Sequence, residues 1–225
     1  GDAPKLIAFE SVSSMDGDVA PIHEICDLAE KYNALTYIDE VHAVGMYGDH
    51  GGGISERECA ADRIDIIEGT LGKALGGAMG GYTTGKKEII EMLRQRSRPY
   101  LFSNSLAPSI VGAAIRVFDI LSASTELRDK LESNTAYFKE KIIEAGFDVK
   151  PGDSPIVPIM LYDSKTAQEF AKKLFQYGIY AVGFFFPVVP KGEARIRTQI
   201  SASHTEEQLQ QALEIFRKVK EELTV

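Results

Sequence analysis

The feature that most constrains this chain is a lysine placed among small residues directly after a β-branched run. Residues 64–67 (IDII) are typical of a buried strand, and the glycine-rich stretch 68–77 (EGTLGKALGG) follows at once. Because open α/β sheets bind ligands at the carboxyl ends of their strands, this spacing predicts that Lys73 lies at a ligand-binding edge. A lysine in a partly dry pocket loses its proton more readily than one in water, so Lys73 is a candidate nucleophile or Schiff-base amine.

Two other interpretations of Lys73 compete with this one. Most lysines are solvated surface charges, and a lysine among glycines is by itself a weak signal. A phosphate-binding P-loop needs the pattern G-x-x-x-x-G-K-[ST], which would require glycine at Ile67 and Ser or Thr at Ala74. The observed spacing therefore argues against a P-loop.

A second strand end upstream carries an acid and a histidine. Residues 35–38 (LTYI) predict a strand, and Asp39 and His42 follow it. Each could be an ordinary polar residue, Asp39 as a helix cap or a surface carboxylate. Together with Lys73, however, Asp39 would form the two-point clamp that pyridoxal phosphate requires, an amine for its aldehyde and a carboxylate for its pyridinium nitrogen.

The residues around these two strand ends resemble a known family. Segments 39–45 (DEVHAVG) and 69–74 (GTLGKA) are similar to the signature of the α-oxoamine synthases, fold-type-I pyridoxal-phosphate enzymes that condense an amino acid with an acyl-CoA. Segments 94–105 (RQRSRPYLFSNS) and 194–199 (ARIRTQ) resemble the glycine C-acetyltransferases of that family. The opening segment 9–18 (FESVSSMDGD), taken with residues 39–48 (DEVHAVGMYG), looks more like the 5-aminolevulinate synthases.

The resemblance implies catalytic roles for three side chains in the first half of the chain. Lys73 would bind pyridoxal phosphate and, once released, act on the α-proton of the substrate. Asp39 would pair with the pyridinium nitrogen and keep the ring protonated. His42 would lie against the cofactor ring and assist proton transfer to the acyl oxygen.

The same resemblance implies binding roles for four further residues, each of which could otherwise be an ordinary turn or strand residue. Thr70 would bind the cofactor phosphate, and Ser14 would lie beside the cofactor oxygen. Ser103 would reach the phosphate bound to the neighbouring subunit of a homodimer. Arg197, favoured over Arg195 by the motif match, would clamp the substrate carboxylate with its guanidinium group.

The implied reaction is the condensation of glycine with acetyl-CoA to 2-amino-3-ketobutyrate and CoA, together with the reverse cleavage. The alternative within the family is 5-aminolevulinate synthesis from glycine and succinyl-CoA. Members of this family carry an N-terminal part that has no counterpart here. A non-catalytic fragment or scaffold of such an enzyme is therefore the alternative of a different class.

Bulk properties limit the other functional classes. With 225 residues, of which 44% are hydrophobic, the chain can bury a sizeable core. A net charge of −8 argues against a nucleic-acid surface. We find no apolar run of membrane-spanning length, no signal-peptide pattern and no metal-ligand spacing among the histidines and cysteines. We therefore expect a cytoplasmic protein with no membrane, nucleic-acid or metal partner.

The alternation of strands and helices predicts an α/β fold. With the resemblance, we expect part of a fold-type-I large domain with a mostly parallel sheet over residues 1–107. A small α+β C-terminal domain should follow over residues 108–225. Residues 98–105 show no period and are predicted to form a loop. The predicted strands are 6–10, 35–38, 64–67, 81–84, 156–161, 179–184 and 194–200; the predicted helices are 21–32, 87–96, 108–121, 125–145, 164–177 and 209–223.

Overall fold

The computed structural model describes residues 3–77 and 79–224, and its contacts divide the chain into two compact units. The first unit comprises Gly1–Ser13 and Val19–Thr125, and the second comprises Ser14–Asp18 and Glu126–Val225. The observed division thus follows Thr125, whereas the sequence placed the boundary between residues 107 and 108. The helix at 108–123 belongs to the first unit because its apolar side chains pack into that unit's core.

The first unit is built on a four-stranded sheet of order β1-β2-β3-β4. The strands are β1 (Leu6–Glu10), β2 (Leu35–Asp39), β3 (Ile66–Thr70) and β4 (Gly81–Gly85). The first three are parallel, and β4 runs antiparallel to β3. The predicted mostly parallel sheet is therefore confirmed, and β1, β2 and β3 all end at the same edge of it.

Strand β3 begins two residues later than the sequence predicted. Asp65, which the prediction placed inside the strand, is buried. It binds β2 through its side chain and not through the backbone hydrogen bonds of the sheet. Its carboxylate accepts hydrogen bonds from the backbone N–H of Thr36 at 2.8 Å and from the Thr36 hydroxyl at 3.2 Å. The neighbouring Lys86 also forms an ion pair with Asp65. This polar group fixes the start of β3 against β2.

The three helices that the sequence predicted in this unit are present, together with shorter helical segments that it did not predict. They are α1 (Ile22–Tyr32), α2 (Ile54–Arg57), α3 (Lys87–Arg96), α4 (Arg98–Phe102) and α5 (Pro108–Ala123), with a 3-10 turn at Ala61–Arg63. The short helix α4 corrects the predicted loop at 98–105. Its proline lies in the first turn, where no intrahelical donor is required, so the ring is compatible with a helix start.

The second unit is a small antiparallel sheet with three helices, which confirms the predicted α+β arrangement. The strands β5 (Asp148–Val149), β6 (Ile156–Tyr162), β7 (Val182–Phe184) and β8 (Ala194–Gln199) occur in the order β5-β6-β8-β7. The helices are α6 (Glu126–Glu144), α7 (Ser164–Gln176) and α8 (Glu206–Leu223). Four phenylalanines form the centre of the core, with ring centroids 5.7–6.3 Å apart: Phe138, Phe147, Phe170 and Phe216.

Two short elements of the second unit differ from the prediction. Strand β5 was not predicted, because two residues are too few to show a period. Strand β7 begins at Val182 and not at residue 179. Across the described residues, no helix combines the length and the apolar character needed to cross a membrane.

Candidate active site

Asp39 occupies the carboxyl end of β2, as predicted. Its backbone is paired in register with Glu10 of β1 and with Glu68 of β3. Its carboxylate Oδ1 accepts a hydrogen bond from the backbone N–H of Val41 at 2.8 Å, which is the geometry of an Asx turn. The partly buried carboxylate is thus held at the sheet edge by its own backbone.

The next residue, Glu40, is a buried carboxylate to which the sequence analysis gave no role. Its side chain is fully buried, and it accepts hydrogen bonds from the backbone N–H groups of Ile54 at 3.1 Å and Ser55 at 2.7 Å. Gly53 makes this approach possible, because a Cβ there would lie 2.5 Å from Glu40 Oε2. Its φ of 102° also favours glycine. Glu40 therefore caps the start of α2 and closes the glycine-rich loop that follows Asp39.

The backbone of Glu40 fixes the turn that carries His42. Its N–H donates to the carbonyl of Glu68 at 2.9 Å, which ties the turn to β3. Its carbonyl accepts from the N–H groups of Ala43 and Val44, both at 2.8 Å. His42 is partly buried within this tight turn, three residues beyond Asp39.

Lys73 lies in the turn that follows β3. Leu71 and Leu75 on either side of it are buried, whereas Lys73 itself is exposed. The turn is closed by two backbone hydrogen bonds, from Leu71 N–H to Gly80 O at 2.9 Å and from Gly76 N–H to Lys73 O at 3.0 Å. Two buried leucines therefore anchor the turn and leave the lysine amine accessible at the carboxyl end of β3.

One hydrophobic cluster joins the turn of Lys73 to the loop of Asp39 and His42. Val44, Leu71 and Leu75 form this cluster. A Cβ built on Gly45 would lie 2.9 Å from Leu75 Cδ2, so the two segments are in direct contact. Partly buried side chains pack around the cluster: Tyr82, Leu106, Ile110, Ala114, Val117 and Leu121. The carboxylate, the imidazole and the amine are thus carried by two packed segments at one edge of the sheet.

Two other predicted residues of the first unit lie at element ends. Thr70 ends β3, where its hydroxyl donates to Gly80 O at 3.3 Å and accepts from Gly72 N–H at 3.1 Å. It therefore holds the start of the lysine turn. Ser103 is exposed at the C-terminus of α4, and its N–H donates to Pro99 O at 3.0 Å.

The second unit brings together the remaining two predicted residues, Ser14 and Arg197. Arg197 lies on β8, and its Nη1 donates to the backbone carbonyl of Ser14 at 2.6 Å. The guanidinium also stacks over the ring of Phe184, 4.8 Å from its centroid. Burial lowers the pKa of Arg197, and within the described parts of the chain no carboxylate lies within ion-pair distance of it. A partly buried guanidinium without a counter-ion is suited to an anionic ligand.

Arg195 is on the same strand, two residues earlier, but its charge is already neutralised. It is only 1% exposed and pairs with the carboxylates of Asp16 and Glu193. From the sequence alone, Arg195 and Arg197 were equally able to bind a carboxylate, and only the motif match favoured Arg197. The counter-ions of Arg195 now supply an independent physical reason for that preference.

The sheet of the first unit, with a lysine turn and a strand-end carboxylate at one edge, defines an α/β fold of the fold-type-I pyridoxal-phosphate enzymes. Its family follows from comparison with known proteins. The chain belongs to the family of class I and II aminotransferases, whose model matches residues 1–216.

Individual relatives are similar over nearly the whole chain. The 2-amino-3-ketobutyrate coenzyme A ligase of Escherichia coli K12 is 54% identical over 220 residues, which is 98% of this chain and 55% of that protein. The 8-amino-7-oxononanoate synthase of Thermosipho melanesiensis is 49% identical and covers 98% of this chain and 56% of its own length. A solved structure of SPT (serine palmitoyltransferase) with a PLP internal aldimine has a TM-score of 0.95 and 33% identity. It matches 100% of this chain and 56% of its own. The chain therefore spans about half the length of the relatives it matches.

Proposed function

We propose that this chain carries the catalytic lysine of a pyridoxal-phosphate-dependent acyltransferase that condenses glycine with acetyl-CoA to 2-amino-3-ketobutyrate and CoA, and cleaves that product in reverse. The observation that carries the proposal is the packing of the Lys73 turn against the segment of Asp39 and His42. The 54% identity to a 2-amino-3-ketobutyrate coenzyme A ligase supports this choice of reaction.

The residues of the first unit fit pyridoxal phosphate by the chemistry of their donor set. The exposed amine of Lys73 suits the aldehyde, and the carboxylate of Asp39 suits a protonated ring nitrogen. His42 follows Asp39 by three residues in the same turn and would meet the same ring, and Thr70 offers a hydroxyl at the start of the lysine turn. When bound, the cofactor would supply an electron sink for the negative charge left on the amino-acid α-carbon.

The chain's own groups then have separate tasks. Lys73 holds the cofactor and, once its amine is released, takes the α-proton of glycine. Asp39 keeps the proton on the ring nitrogen, and His42 delivers a proton to the acyl oxygen. Arg197 binds the glycine carboxylate, for which its guanidinium has no competing protein carboxylate among the described residues.

The remaining predicted ligands are proposed on the family resemblance together with their placement. Ser14 would lie beside the cofactor oxygen, and its backbone carbonyl accepts a hydrogen bond from Arg197. Ser103, exposed at the end of α4, would reach the phosphate bound by the partner of a homodimer. The exposed apolar side chains of Phe102, Ile115 and Tyr100 support an association of that kind.

We also propose a reducing compartment, the cytoplasm, because both Cys26 and Cys59 are free thiols.

The test of the assignment is the site of covalent attachment. Borohydride reduction of the cofactor-loaded full-length protein should link pyridoxal phosphate to Lys73, as read by peptide mass spectrometry. Lys73→Ala should lose the label and keep its circular dichroism spectrum, whereas Asp39→Ala should keep the label but slow α-proton exchange of glycine. Label on a different lysine in the wild-type protein would refute the assignment.

Two alternatives are separated by simple assays. Turnover with succinyl-CoA in preference to acetyl-CoA would indicate 5-aminolevulinate synthesis, although the similarity to a 2-amino-3-ketobutyrate coenzyme A ligase supports the acetyl reaction. A scaffold without catalysis would bind no cofactor in a spectroscopic titration.

A further inference from the structure

The two arginines of β8 reach the same short segment of the second unit. Side chains two residues apart on a strand point to the same face and are separated by about 6.5–7 Å along it. Arg197 contacts the carbonyl of Ser14, and Arg195 contacts the carboxylate of Asp16, two residues further on. The carboxylate of Asp16 is thus held two residues along the strand from the guanidinium of Arg197, which has no carboxylate partner among the described residues.

Asp16 is held in place by a cluster with balanced charge. Arg195 Nη2 lies 2.9 Å from Glu193 Oε2, and its Nε donates to the Glu193 carbonyl at 2.9 Å. Lys150 Nζ lies 2.8 Å from Asp16 Oδ1 and 3.1 Å from Glu193 Oε2. Two cations and two anions therefore neutralise one another, and Arg195 is the member that is almost completely buried.

The backbone that carries Asp16 is tightly seated. Gly17 has a φ of 74°, and a Cβ there would lie 2.5 Å from Ser154 Oγ and 2.6 Å from the carbonyl of Ile156. The segment 14–18 therefore cannot shift away from the start of β6 without losing close packing. The direction of the Asp16 side chain then depends on which cation binds it.

We propose that Arg195 is a positioning residue that holds the Asp16 carboxylate and so keeps Arg197 free for the carboxylate of the amino-acid substrate. The proposal rests on the proposed function of Arg197 as the carboxylate clamp. Without Arg195, Asp16 would compete with the substrate from within the same chain. An intramolecular competitor acts at a high effective concentration and need form only one charge-assisted pair to do so.

The test is the equilibrium affinity for glycine, measured by calorimetry on the cofactor-loaded full-length protein. Arg195→Met should weaken glycine binding about tenfold, the typical worth of one charge-assisted hydrogen bond. Arg195→Met combined with Asp16→Asn should restore the affinity, because the competitor is gone. Asp16→Asn alone should bind glycine within about twofold of wild type, because Asp16 is already held away from Arg197; a clearly larger loss would contradict the proposal, even if Arg195→Met does not fold.

Matched controls separate competition from loss of positive charge. Lys150→Met removes a cation from the same two carboxylates but leaves Arg195 on Asp16, so it should change glycine affinity little. Arg195→Met combined with Glu193→Gln has the same net charge as the rescued double variant but keeps Asp16 as a carboxylate. It should stay weak. The proposal would be overturned if both double variants restored glycine affinity equally, or if Lys150→Met weakened glycine binding as much as Arg195→Met. Either result would indicate that net positive charge near the site, and not competition by Asp16, sets the affinity.

A crystal structure of Arg195→Met provides a readout that does not depend on activity. It should show the Asp16 carboxylate on the guanidinium of Arg197; a carboxylate still on Lys150 alone would contradict the proposal. If Arg197→Ala binds glycine as tightly as wild type, the proposed function of Arg197 fails. If Arg197→Ala weakens binding but Arg195→Met binds glycine as tightly as wild type, only the role of Arg195 is overturned.

Discussion

Replacing Glu40 by Gln should loosen the loop that carries His42 without changing the volume of the site. The carboxylate accepts two backbone N–H groups in a fully buried position, from Ile54 at 3.1 Å and Ser55 at 2.7 Å. An amide has one oxygen to offer, so one of the two N–H groups would face an NH₂ group. One hydrogen bond would be lost, and the one that remains would be weaker because its acceptor is no longer charged.

The magnitude follows from the cost of charge-assisted hydrogen bonds. Each contributes about 1.5–3 kcal/mol, and a buried donor left without a partner costs about 1–3 kcal/mol. We therefore expect Glu40→Gln to destabilise the loop locally by about 2–4 kcal/mol. If the opening is local, amide exchange at Ile54 and Ser55 should accelerate by about 30-fold or more.

The chain offers a matched control in Glu56, another carboxylate that binds backbone N–H groups of the same loop. It accepts from Gly52 at 2.7 Å and from His50 at 3.2 Å, but its side chain is 29% exposed. Because water can replace its contacts, Glu56→Gln should cost about 0.5–1 kcal/mol. The assay is hydrogen exchange of residues 41–55 in the full-length protein. Equal exchange in the two variants, or no change at Ile54 and Ser55, would refute the capping role of Glu40.

Three further predictions follow from the same structure. Arg197→Ala should raise the glycine dissociation constant by about ten- to a hundredfold, the worth of a charge-assisted bidentate pair, and an unchanged constant in a glycine titration would reject the clamp. Burial opposes ionisation of Asp16, but the hydrogen bond from Lys150 and the charge of Arg195 outweigh it and lower the carboxyl pKa below 3.8. The stabilisation is therefore complete only above about pH 5, well above the ordinary carboxyl pKa, and is lost as the pH falls through the lowered value, so Asp16→Asn should flatten the acid limb of a stability–pH curve. The isolated 225-residue chain should self-associate at micromolar concentration in sedimentation, because apolar side chains such as Phe102 and Tyr180 are 79% and 84% exposed; a compact monomer would contradict this.

The parts of the fold that the sequence predicted are those with a local signal. Strand β2 and the turn after β3 were visible because β-branched runs end at polar or glycine-rich segments. The Asp39 and Lys73 positions followed from the rule that strand ends meet at one sheet edge. Helix α5 was also predicted, over residues 108–121, but its assignment to the first unit depends on packing against Leu71 and Leu75, which no local pattern shows.

Glu40 shows why a site can be predicted only in part. Asp39 and His42 on either side were recognised as candidate ligands, whereas Glu40 was given no role. Its partners Ile54 and Ser55 lie 14 and 15 residues away, across a loop whose path the composition does not give. The only local hint was the glycine-rich run, because a carboxylate can approach a backbone closely where no Cβ intervenes.

The two arginines of β8 show most clearly what sequence alone cannot predict about the site. In sequence they are the same residue in an alternating strand, with the same intrinsic pKa and the same geometry for binding a carboxylate. Arg195 is paired by Asp16, 179 residues away in the chain, and by Glu193 beside it. Among the residues that the structure describes, Arg197 contacts a backbone carbonyl and an aromatic ring but no carboxylate. Which arginine can bind an anionic substrate is therefore decided by long-range neutralisation of the other.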